Sequence, residues 1–254
     1  MGIKDFKARM LAGEMLAGTF LKTPAYELVE VLAGSGLDFL CLDAEHAPFD
    51  RARMDACLAI GRALDFPILV RPGANTAPDI LHALDAGAVG IVAPHVDSAE
   101  KAAALARAGH FGLGGRGYAG STRWAGFATR KMPDILEQSA ETVLIAQIEE
   151  PAGVEAVEAI AATPGIDGLF LGPADLSVGY GKEDQTSEEL AAAYARCGAA
   201  ARAHGTAYMT FVGNAVQAES LARHGLTMFF VASEHSWMRA GAAAEAMGIH
   251  KIKG

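Results

Sequence analysis

"FLCLDAEHAPFDRARMDACLAIGRALDFPILVRPG" (39–73) holds one complete strand–helix–strand unit. Phe39, Leu40, Cys41 and Leu42 form an apolar run too short for a helix, with the character of a strand buried on both faces. Asp50 stands where an N-cap belongs, ahead of "RARMDACLAI", whose apolar residues recur at helical spacing. "PILV" (67–70) is a second buried strand, stopped after Arg71 by Pro72 and Gly73. Two buried strands joined through a helix are the building block of a parallel sheet.

Outward from this unit the pattern repeats. Strands are expected at 16–23, 39–45, 67–73, 90–96, 143–150, 168–176, 207–213 and 228–234. Helical spacing fills 24–36, 51–64, 76–87, 98–108, 152–163, 186–205 and 214–225. Gly36, Gly87, Gly109, Gly205 and Gly225 stand near C-cap positions. Eight strand–helix repeats in 254 residues fit a (β/α)8 TIM barrel better than an open doubly wound sheet. No composition shift or linker divides 1–254, so one domain is expected. The longest irregular stretch, about 109–134, has the length of an active-site loop.

Half of the residues are apolar and mean hydropathy is positive, enough for a large core. A formal charge of −9 with scattered Lys and Arg excludes the basic patch that nucleic acid or an acidic membrane would need. Cys41, Cys57 and Cys197 contain no C-x-x-C pair and read as buried thiols in a reducing compartment. The N-terminus contains acids and lacks a signal core, and no run reaches membrane-span length. A cytoplasmic protein is expected.

In a (β/α)8 barrel the chemistry sits at the C-terminal ends of the strands. Those ends carry Lys22, Asp43, Glu45, His46, Arg71, His95, Gln147, Glu149, Glu150, Asp175, Phe211 and Ser233 to His235. Glu149 and Asp175 end adjacent strands about 4.8 Å apart, so both carboxylates can meet one cation. With waters and a chelating substrate they would form an all-oxygen site for a divalent ion. The alternative is a pair of rim carboxylates salt-bridged to Arg. Asp43 and Glu45 share a strand face and could hold metal-bound waters as a further layer, or cap and order the loop. His46 is the natural general acid/base, since its ordinary pKa lies near neutrality.

Arg71 can stabilise an enolate or carboxylate oxygen, or neutralise the acidic cluster. In "LGPADLS" (171–177) a tight Gly172–Pro173 turn opens a short helix, where amides near Ala174 could take a carboxylate. "GLGGRG" (112–117) satisfies G-x-G-x-x-G but does not join a strand to a helix, which excludes a dinucleotide fingerprint. That loop instead offers Arg116 and Arg123 to an anionic or hydroxylated substrate.

"DAEHAPFD" (43–50), "LVRPG" (69–73), "AQIEEPAGV" (146–154) and "LFLGPADLS" (169–177), in this order, resemble the metal-dependent 2-oxo-acid aldolases of the HpcH/HpaI family. The resemblance runs from "GTFLKTP" (18–24) to "FFVASE" (229–234). It implies a metal held by Glu149 and Asp175, a catalytic His46 oriented by Asp85, and an enolate-stabilising Arg71. It also implies Gln147 near the keto group, the carboxylate on amides of Ala174 and Asp175, and Phe211 and Val212 beside the substrate. The implied ion is Mg, Mn or Co, and the implied assembly a homohexamer with the C-terminal region on a neighbour. Glu150 and His95 depart from common family residues, leaving the aldehyde partner open.

The expected reaction is reversible aldol cleavage of 4-hydroxy-2-oxo acids to pyruvate, or hydroxypyruvate, and an aldehyde. Two rivals remain: Schiff-base chemistry at Lys22, and a 2-oxo-acid-binding barrel without turnover.

Overall fold

The computed structural model describes residues 2–252. Eight strands, β1 (Leu16–Leu21), β2 (Phe39–Asp43), β3 (Ile68–Arg71), β4 (Gly90–Ala93), β5 (Val143–Ile148), β6 (Gly168–Leu171), β7 (Ala207–Val212) and β8 (Met228–Ser233), close into one barrel in sequence order. Every neighbouring pair is parallel, and β1 closes on β8 through Leu16↔Met228 and Gly18↔Phe230. Each strand begins within one residue of its expected start. The expected ends overshoot because the polar residues there already belong to loops, and at Pro173 to a helix.

Helix α1 (Phe6–Leu11) precedes the barrel, and α2 (Tyr26–Ala33), α3 (Arg51–Ala63), α4 (Ala77–Ala86) and α5 (Ala99–Gly109) follow β1 to β4. Helix α6 (Met132–Gln138) leads into β5; α7 (Pro151–Glu155) and α8 (Val157–Ala161) follow it. Helices α9 (Pro173–Gly179), α10 (Glu188–His204), α11 (Ala215–Ala222) and α12 (Glu234–His250) complete the chain. Asp50 caps α3 by accepting the Arg53 N–H at 2.8 Å, as the spacing requires. Gly87 and Gly205 are left-handed C-caps, whereas Gly109 is still helical and His110 caps α5.

Strand alternation sorts the core into two layers. Leu21, Leu42, Val70, Ile91, Ile148, Leu171 and Val212 pack outward against the helices. Phe20, Cys41, Leu69, Ile145, Phe170, Met209 and Phe230 fill the barrel, and Phe6 and Met10 of α1 join this interior cluster. Phe20, Phe170 and Phe230 meet one another at centroid distances of 4.8–6.0 Å.

The irregular stretch after α5 does not stand at the catalytic mouth of its own barrel. It follows a helix rather than a strand, so it leaves from the N-terminal end of the strands. Arg116 turns back onto Asp85 of α4 at 2.5 Å, and Arg123 forms a two-oxygen pair with Asp55 of α3 at 2.9 Å. Length alone suggested an active-site loop; the connection order contradicts it. Among the described residues no helix is long and apolar enough to cross a membrane.

Candidate active site

The parity of each strand places its last side chain. Two residues beyond inward-facing Phe20, Cys41, Leu69, Ile145, Phe170 and Met209 come Lys22, Asp43, Arg71, Gln147, Gly172 and Phe211. A cavity of about 360 Å³ opens there, lined by five of these six together with His46, Pro173, Ala174, Asp175 and Ser233. Asp43 lies just beneath, fully buried.

Asp43 holds the shelf together. Its Oδ2 accepts from Arg71 Nη2 at 2.8 Å, and its Oδ1 accepts from Arg71 Nε and from the His46 N–H, both at 3.1 Å. Lys22 Nζ lies 3.2 Å from Oδ2. Burial opposes the Asp43 charge, but Arg71, the His46 N–H and Lys22 together outweigh it and hold the carboxyl below its ordinary range. With both oxygens engaged, Asp43 anchors Arg71, Lys22 and the backbone of His46. The Arg71 guanidinium also lies 4.4 Å over the Phe20 ring, which fixes its other face.

His46 projects into the cavity, more than half exposed, and the carboxylate nearest its ring is Glu45 at 3.6 Å. Glu45 also lies 3.4 Å from Arg71 Nε and 3.3 Å from His95 Nε2. Asp85 does not orient His46 within this chain. It stands at the C-terminal end of α4, beside the start of β4, and its carboxylate is taken by Arg116. The catalytic mouth is at the other end of the barrel.

Glu149 is 4% exposed, and no Lys or Arg among the described residues pairs with it. Its Oε1 accepts the His95 N–H at 2.7 Å, and its Oε2 accepts from the Gln147 amide. Burial pushes this carboxyl above its ordinary range despite those bonds. His95 reaches Glu149 from a left-handed backbone conformation (φ 54°), uncommon for a residue with a side chain. Its ring Nδ1 lies 2.9 Å from Glu150 Oε1, so His95 joins the two consecutive acids Glu149 and Glu150.

Asp175 lines the cavity without an ion-pair partner among the described residues. Gly172 caps α9 without a side-chain bond, which leaves the first-turn N–H groups of Ala174 and Asp175 free of intrahelical acceptors. A Cβ on Gly172 would stand 3.0 Å from Glu149 Cβ, so a side chain here would crowd Glu149.

The remaining expectations divide. Phe211 lines the cavity; Val212, one residue on, is buried in the outer helix layer and cannot present its side chain there. Arg123, bound to Asp55, is outside the cavity. Sequence reasoning passed over Phe20 and Phe170 as lining residues; it placed Ser233 and Glu234 at a strand end but gave neither a task. Buried Glu234 uses Oε1 to accept the N–H groups of Lys22 and Thr23, at 2.9 and 2.7 Å. Strand parity identifies the two phenylalanines; a buried acid after β8 was the signal for Glu234.

Residues 16–240 match the family model for HpcH/HpaI aldolase/citrate lyase. The chain belongs to the HpcH/HpaI aldolase/citrate lyase family. Within it, the chain is 33% identical over 240 residues to the hydroxypyruvate/pyruvate aldolase of Paraburkholderia phytofirmans, covering 91% of this chain and 92% of the relative. It is 36% identical to the 4-hydroxy-2-oxovalerate aldolase of Novosphingobium aromaticivorans, over 70% and 68% of the two chains. The crystal structure of a HpcH/HpaI family protein from Burkholderia cenocepacia superposes with a TM-score of 0.92 at 32% identity, covering 98% and 100%. This HpcH/HpaI protein is accordingly a carbon–carbon lyase on a (β/α)8 barrel.

Proposed function

We propose that this protein cleaves and forms 4-hydroxy-2-oxo acids by a reversible aldol reaction, giving pyruvate or hydroxypyruvate and an aldehyde, with a divalent ion such as Mg, Mn or Co. The observation that carries this is the joint presence of His46, Arg71, Gln147 and Asp175 around one cavity, with the free amides of α9 beside them.

The residues fit a hard cation. Glu149 is a buried carboxylate whose neighbours are nitrogens of His95 and Gln147, and Asp175 lines the cavity without an ion-pair partner among the described residues. Gln147 Oε1 is buried without a hydrogen-bond partner. No three His, Cys, Asp or Glu side chains among the described residues converge as a metal cluster. Two carboxylates with substrate and water oxygens would meet the preference of such an ion. Glu149 and Asp175 would hold it, and when bound it supplies Lewis-acid polarisation of the 2-oxo group.

The chain's own groups account for the rest. Amides of Ala174 and Asp175 receive the substrate carboxylate. In cleavage His46 removes the proton of the C4 hydroxyl. The C3–C4 bond breaks as the C4 carbonyl forms, and its electron pair becomes the enolate. Arg71 stabilises the charge growing on the enolate oxygen, and protonation at C3 completes the product. In condensation His46 returns the proton. Lys22 is ion-paired with Asp43, which does not favour it as a carbonyl-attacking amine.

The test is exchange of the pyruvate methyl protons in D2O. Exchange lost with EDTA and restored by Mn or Mg supports the reading; EDTA-insensitive exchange, or none, overturns it. His46→Ala should lower aldol turnover by roughly 100-fold or more while Mn binding persists.

A further inference from the structure

The ammonium of Lys22 has no task in the mechanism above, yet it lines the cavity. Three features separate it from an ordinary surface lysine. It continues the inward face of β1 after Phe20. Its backbone is pinned, because Glu234 accepts both its N–H and that of Thr23. Its side chain is only 32% exposed.

The charge balance leaves it capacity. Arg71 already meets Asp43 with two hydrogen bonds, and the His46 N–H adds a third. Lys22 contributes one contact to Asp43 and has three donors. In the closed order of eight strands, β1 lies across the ring from β5, and β8 is its neighbour. Gln147 lies in β5 and Glu149 just beyond it, and the α9 amides follow β6. A 2-oxo acid held there sends its far end toward β8 and β1. Ser233 lines the cavity at the end of β8. Phe20 and Phe211 furnish only apolar wall beside these two polar groups.

We propose that Lys22, with Ser233, is the specificity contact for the aldehyde portion of the substrate, selecting aldehydes that carry an oxygen substituent over plain alkyl aldehydes. This rests on the aldolase reading and assigns the side of the site where the aldehyde is chosen. Lys22 donates to the substituent's oxygen, and the substituent replaces water at a charged group that an alkyl chain would leave unpaired.

The experiment compares condensation of pyruvate with glyceraldehyde and with propionaldehyde, taking the ratio of the two kcat/KM values. Lys22→Met should lower that ratio by about tenfold or more, chiefly through KM for glyceraldehyde, as expected for losing a charged hydrogen bond. Lys22→Arg should recover part of it, and Ser233→Ala should lower it by a few-fold. A ratio unchanged in Lys22→Met and Ser233→Ala overturns the proposal. Borohydride trapping of pyruvate on Lys22 overturns it also, by giving the lysine a covalent role. Should Lys22→Met fail to fold, Ser233→Ala decides alone. Absent methyl-proton exchange in the wild type would instead defeat the aldolase reading, so the two failures are distinguishable.

Discussion

Arg71 and Asp43 are register partners across β3 and β2, and their side chains meet in a two-pronged ion pair beneath the cavity. Both partners are buried, Asp43 completely, so the carboxylate has no water as a substitute partner and Arg71 little. Asp43→Ala should therefore cost about 3–5 kcal/mol, the range for breaking a buried pair from one side. Urea unfolding measures it. A loss below about 1 kcal/mol would show that the pair contributes no more than a surface bridge.

The same carboxylate sets an acid limit. Asp43 is held below its ordinary range by Arg71, the His46 N–H and Lys22 against the pull of burial, so the folded state binds fewer protons there than the unfolded chain. Its contribution is present above the unfolded pKa of about 3.9 and is lost as pH falls through the lower folded value. The stability difference between wild type and Asp43→Asn should be flat from about pH 7 to about pH 5, then shrink toward pH 3. Urea midpoints across that series give the answer, and a difference that grows on acidification would refute it.

Glu149→Gln should separate stability from function. The wild-type carboxylate is buried without a cationic lysine or arginine, and an amide removes that desolvation cost while still accepting the His95 N–H. The metal-free variant should be at least as stable as wild type. Its Mn affinity, by calorimetry, should fall on the order of 100-fold or more, since even groups behind a ligand matter by 10–100-fold. Unchanged affinity would remove Glu149 from the ion site.

The cysteines should be silent. Cys41, Cys57 and Cys197 are all buried and free. Burial pushes the Cys57 thiol up to about 11 and Cys197 to about 12, with Cys41 higher still. At pH 8 the native protein should not react with DTNB within minutes, and all three thiols should react in guanidinium. Fast labelling of one thiol in the native state would contradict its burial.

Much of the architecture was legible because strand starts are written in the apolar pattern itself. The shelf was legible as composition but not as wiring. Asp43 and Glu45 were expected to hold metal-bound waters or to order the loop, and Arg71 to steady an enolate or neutralise the acids; strand pairing delivers Arg71 to Asp43 and sets Glu45 beside Arg71, His46 and His95. Val212 could have been set aside by counting: a strand that turns Phe211 inward turns the next residue outward. The 109–134 stretch misled because length says nothing of which end of a barrel a loop occupies; the preceding helix does. Asp85 entered through family likeness, and its place at the foot of α4 follows from the same ordering. The task of Glu234 was hidden for another reason: the N–H groups it holds belong to Lys22 and Thr23, more than 200 residues away.

The bond from Glu234 to the N–H groups of Lys22 and Thr23 spans 212 and 211 residues. On the ribosome, β1 is made more than 200 residues before the groups that complete its pairing and hold its tip. Until β8 and Glu234 emerge, β1 has one open edge and Lys22 has no fixed backbone. The Lys22 wall of the pocket is thus finished only after β8 emerges, and a nascent chain stopped before Glu234 carries most of a barrel without a complete cavity.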